Sequence, residues 1–110
     1  MSKAAFPDLN YYLEKLYEGI NRQDYAELAM GMVPLIKEEL QKHQKQYTGT
    51  GVDKVGYDSI MESVLRHMDE LEEYYQNFHN NKPRIARKVA LEAHASIRKQ
   101  IDALEQLSKR

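Results

Sequence analysis

Cysteine is absent from the sequence, which excludes disulfides, thiolate zinc sites, iron–sulfur ligation and cysteine nucleophiles together. Tryptophan is absent too, and five glycines and three prolines in 110 residues leave few points at which regular structure must break. No apolar run approaches the roughly 20 residues of a bilayer-crossing helix. The net charge is −1, so no global field draws the chain to nucleic acid or anionic lipid. The opening residues, Met1 to Asp8, lack the apolar stretch of a secretory signal, and a cytoplasmic protein is expected.

What is present is a balance of 42% hydrophobic and 30% charged residues, that of a soluble globular protein. Two domains cut from 110 residues would each be too small to bury a useful core. A single domain over residues 1–110 is therefore expected.

Apolar residues recur with a helical period along most of the chain. Leu9, Leu13, Leu16 and Ile20 predict a first helix over about residues 8–21, with Asp8 as its cap and Tyr12 widening the stripe. Tyr25, Ala29, Met32, Ile36, Leu40, His43 and Tyr47 predict a second over 24–46, opened by Asp24. Pro34 lies opposite that stripe and, with Gly31 nearby, predicts a kink around residues 30–34 or two short helices in tandem. Residues 48–56 carry three of the five glycines, predicting a loop over 47–57 that acts as a mobile element.

Tyr57, Ile60, Val64, Met68, Leu71, Tyr75 and Phe78 predict a third helix over 58–79, flanked by Met61, His67 and Tyr74. Asn81 caps and Pro83 opens a fourth over 82–108, whose stripe is Ile85, Val89, Ala93, Ile97, Ile101, Leu104 and Leu107. No segment alternates like a strand. Four helices with one apolar face each must bury those faces against one another. The connections predict an all-α, antiparallel, up-down-up-down four-helix bundle with its second helix kinked near Pro34. Residues 58–79 carry a net −5 and residues 82–110 a net +5, which favours packing of the last two helices on each other.

Candidate chemistry is sparse. His67 and His94 fall at similar heights on adjacent helices, so the metal-binding alternative rests on them. The paired Glu-x-x-His motifs of di-iron bundles are missing. Arg87, followed by six residues and His94, resembles the arginine-to-histidine signature of HEPN-type ribonucleases. Seven positions put both side chains on one helix face, about 20° apart. The resemblance implies RNA cleavage by Arg87 and His94 paired with their copies across a dimer, although Lys88 stands where that family usually has a polar amide or acid. The bases of the last helix are scattered, and no glycine-rich phosphate cradle or aromatic RNA platform accompanies them.

Aromatic content points elsewhere. Eight tyrosines and two phenylalanines are many for this length, and adjacent pairs such as Tyr11-Tyr12 and Tyr74-Tyr75 cannot both face one core. Tyr11, Tyr74, Leu35 and Leu91 lie off or at the border of their stripes, and tyrosine suits interfaces because it joins an apolar body to a polar tip. The residues therefore predict a small non-catalytic protein-interaction module, an adaptor, regulator, antitoxin or immunity-type protein. Its contact residues would be Tyr11, Leu35, Tyr74 and Leu91, and its partner another protein or a second copy in a homodimer. No cofactor and no membrane or nucleic-acid partner is expected.

Overall fold

The computed structural model describes residues 9–79 and 85–110. The predicted caps at Asp8 and Asn81, and Pro83, lie outside the described residues, as does the side chain of Phe78. The elements are α1 (Leu9–Asn21), a 3-10 turn (Gln23–Tyr25), α2 (Ala26–Gln46), α3 (Gly51–His79) and α4 (Arg87–Ser108). No strand occurs among the described residues. No helix among them is long and apolar enough to cross a membrane.

Consecutive helices pack most extensively on one another, and α1 also meets α4, which closes a ring around the core. Leu13 and Leu16 from α1, Val33 and Ile36 from α2, Met61 and Met68 from α3, and Ile97 and Leu104 from α4 meet in that core. On α1 the buried face is the predicted one, Leu9, Leu13, Leu16 and Ile20, joined by Gly19. A Cβ on Gly19 would sit 2.3 Å from the Ala29 Cβ, so the absence of a side chain there sets how closely α1 and α2 approach.

Three boundaries differ from those predicted. Asp24 does not cap α2. Its carboxylate takes the Arg22 guanidinium at 2.9 Å, and the chain turns through Gln23–Tyr25 before the helix begins. Helix α3 begins at Gly51, so the loop shrinks from the predicted 47–57 to residues 47–50. Gly51 starts the helix at φ +61°, a conformation glycine adopts without steric cost. Gly56 then costs the helix about 1 kcal/mol. Against that stand the Lys54–Asp58 pair at 3.1 Å, Gln44 Nε2 donating to Asp58 at 3.1 Å, and the Tyr57 ring stacked on Tyr47 at 3.9 Å. Helix α4 starts at Arg87, not 82, after Ile85 and Ala86, which are described as non-helical.

The buried face of α2 is also rotated. Ala26, Ala29, Val33, Ile36 and Leu40 are buried, while Met32 and Tyr25 sit at the edge. The helix runs through Pro34, which is exposed, so residues 26–46 form one helix and not two in tandem. On α4, Ala90 and His94 take the buried places and Val89 is exposed. Between α2 and α3, Lys37 pairs with Asp69. Between α3 and α4, Gln100 Nε2 donates to Ser63 Oγ at 2.6 Å, and beyond the end of α4 Arg110 reaches Asp53 at 3.0 Å.

Candidate functional site

Three side chains from α3 and α4 converge on the backbone of α1. The Tyr75 hydroxyl donates to the Leu16 carbonyl at 2.6 Å, and the Tyr74 hydroxyl to the Ile20 carbonyl at 3.3 Å. His94 Nε2 donates to the Leu13 carbonyl at 2.8 Å. Ile20 lies in the last turn of α1, where helix carbonyls lack intrahelical partners, so Tyr74 supplies one. Leu13 and Leu16 are further back, and each carbonyl accepts through its second lone pair. Burial pushes both phenols above the ordinary tyrosine range.

These contacts relocate several candidates. Tyr74, predicted as a contact residue, is 4% exposed and belongs to the core. With both adjacent tyrosines reaching α1, the α3 face is wide enough to bury the pair, their rings edge to face at 5.7 Å. Leu91 is partly buried and packs against the same core. Tyr11 and Leu35 are outside, at 58% and 44% exposed.

Arg87 and His94 both turn toward α1. The Arg87 guanidinium donates to the Asn21 side-chain carbonyl, whose amide donates to the Tyr17 carbonyl at 3.1 Å. His94 is 6% exposed, the one buried polar or charged residue among the described residues. Burial holds its imidazole below the ordinary histidine range, the Leu13 carbonyl partly opposes that shift, and the Arg98 charge adds to it. His67 faces Glu70 on its own helix at 3.6 Å, so the structure gives the two histidines separate partners. Among the described residues no three histidine, aspartate or glutamate side chains gather as a metal-ligand set.

The thinnest seam of the ring is the one between α1 and α4. Along it runs a groove of about 470 Å³, lined by Glu14, Tyr17 and Glu18 from α1 and by His94, Ala95 and Arg98 from α4. The Tyr17 ring stands over His94 at 5.4 Å and 55°, and is 49% exposed. A second, more polar hollow of about 430 Å³ lies where residues 47–50 meet the end of α4, with Tyr47, Asp53 and Arg110 on its walls.

The α1–α2 pair exposes several large apolar side chains. Leu28 and Leu35 are exposed two turns apart on one line of α2, within about 20° by the helical count. Gly31 falls between them, and no atom lies within 4 Å of where its Cβ would be. The result is a leucine ridge with an open notch. On α1, Tyr11 packs edge to face on Tyr12 at 5.8 Å, and Lys15 lies 5.3 Å from the Tyr11 ring and 5.9 Å from that of Tyr25.

The sequence singles out Tyr11, Leu35, Arg87 and His94 as candidates but not Leu28, Gly31 or Tyr17, and it does not join Arg98 to His94. For Leu28 and Gly31 a signal existed, because both fall on the Leu35 line seven and four residues earlier. Tyr17 and Arg98 are joined to His94 by packing between distant helices, which no local pattern encodes. Compared with known proteins, the chain matches no family model, no curated protein and no solved structure.

Proposed function

We propose that this chain is a non-catalytic protein-interaction bundle that docks another protein, or a second copy of itself, through the outer face of its α1–α2 hairpin. The observation that carries this reading is the exposed line of Leu28, Gly31 and Leu35, with Tyr11 exposed on the neighbouring helix. Exposed leucines aligned at helical spacing mark interaction faces more often than leucines scattered singly. An unfilled glycine between them receives a side chain from a partner helix in the manner of a knob entering a hole.

We further infer an antiparallel order of the helices with the axis of α2 bent at Pro34. The order of cross-helix contacts supports the first point, since Lys37 meets Asp69 while Gln44, further along α2, meets Asp58, earlier on α3. The ribonuclease and metal alternatives gain no such support. His94 is buried with Nε2 committed to Leu13, and Arg87 is committed to Asn21.

The test uses surface variants that leave the core alone. Native mass spectrometry of the untagged protein from its own host is expected to show a dimer or a defined protein complex. Leu35→Glu and Gly31→Leu should each abolish that assembly while circular dichroism stays unchanged. A monomer without a protein partner, or an assembly indifferent to both variants, would refute the proposal.

A further inference from the structure

The α1–α4 groove combines three features on opposite sides of a thin seam. Its centre is the half-exposed Tyr17 ring beside the imidazole of His94. That imidazole spends its Nε2 proton on the Leu13 carbonyl, which makes Nδ1 of the neutral ring an acceptor and leaves it as the polar atom His94 offers to the groove.

The third feature is charge. Glu18 is engaged by Lys15 at 3.7 Å. Glu14 on one wall and Arg98 on the other have no ion-pair partner among the described residues. From the His94–Leu13 contact, Glu14 lies near the height of His94, and Arg98 is four residues further along α4, about 6 Å along the seam. One free acid and one free base on facing walls, within about one to two turns of each other and beside the Tyr17 ring, complement a ligand that carries both charges on one carbon and an aromatic ring next to them. The volume, about 470 Å³, is in the range of small-molecule sites.

We propose that this groove binds a small zwitterion whose aromatic ring bears an N–H or O–H donor, the chemistry of L-tryptophan and L-tyrosine. The ligand carboxylate meets Arg98, its ammonium meets Glu14, its ring lies against Tyr17, and the ring donor reaches His94 Nδ1. The groove is lined from α1 and α4, whereas the leucine line lies on α2, so separate variants can test the two.

Titration of the full chain with L-tryptophan, read by calorimetry and by nitrogen shifts of the histidine rings in NMR, tests this. Saturable binding is expected, with the His94 Nδ1 resonance moving and those of His67 and His43 still. Arg98→Ala and Glu14→Gln change exposed residues and should each weaken binding about tenfold, the cost of one charge-assisted contact. L-phenylalanine, which lacks the ring donor, should bind more weakly and leave the His94 shift in place. No movement of the His94 resonance at millimolar L-tryptophan, binding unaffected by either charge variant, or equal binding of L-phenylalanine would each overturn the proposal.

Discussion

His94 Nε2 donates to the Leu13 carbonyl at 2.8 Å, so an imidazole near the end of the sequence is anchored to the backbone of the first helix. Because burial holds His94 below its ordinary value of 6.5, the unfolded chain takes up a proton that the folded chain refuses. Stability is therefore full above about pH 6.5 and declines as pH falls toward the folded-state value, by at most about 1.4 kcal/mol per pH unit. Glu14 and Glu18 on α1 and Arg98 on α4 line the same groove, and Arg98 opposes protonation. Urea unfolding at pH 7.5 and 5.5 should show this loss in the wild type and a smaller loss in His94→Gln, which keeps a donor for Leu13. Equal slopes in the two proteins would remove His94 as the cause.

Gly19 and Ala29 set the approach of α1 to α2. A Cβ at position 19 would lie 2.3 Å from the Ala29 Cβ and 3.1 Å from Tyr75 Cε1. Neither neighbour is the end of a flexible chain, so the helices themselves must part. Gly19→Ala should cost about 1–3 kcal/mol despite the better helix propensity of alanine. Adding Ala29→Gly removes the closest clashing atom, and the double variant should be more stable than the Gly19→Ala single variant. A double variant no better than the single one would place the clash elsewhere.

The tyrosine pair on α3 gives a graded prediction. Tyr75→Phe deletes the bond to Leu16 and should cost about 1 kcal/mol by chemical denaturation. Tyr74→Phe loses the longer bond to Ile20 and should cost less. Tyr74→Ala empties part of the core, and a loss of about 3–5 kcal/mol is expected. That variant therefore reports on folding and not on a surface contact. A Tyr74→Ala protein as stable as the wild type would contradict the buried position of this ring.

Alkaline titration tests the same pair differently. Burial raises both phenols, so the folded state resists ionising them while the unfolded chain ionises near pH 10. Stability should fall as pH rises above about 10. In Tyr75→Phe, followed by phenolate absorbance and ellipticity together, that fall should be shallower. An unchanged profile would show that Tyr75 does not govern it.

The helical character of the chain was legible because periodicity is a local property. Leu9, Leu13, Leu16 and Ile20 were recognised by spacing alone and are buried together. The glycines between 48 and 56 misled, because glycine lowers helix propensity by only about 1 kcal/mol. The Tyr47–Tyr57 stack and the Asp58 contacts, invisible in a local window, accompany a helix that starts at Gly51.

Site residues divide along the same line. Composition and period determined that this is an all-helical chain and that Tyr11 and Leu35 lie outside the core. Tertiary structure alone decided that Tyr74 and His94 are inside, that Arg87 faces Asn21, and that Tyr17 meets His94 across a seam. A helix turns 100° per residue, so sequence determines which side chains share a face of one helix. Which neighbour that face meets, and at what depth, depends on how four such faces pack at once, and residues at the edge of a stripe are where that packing decides.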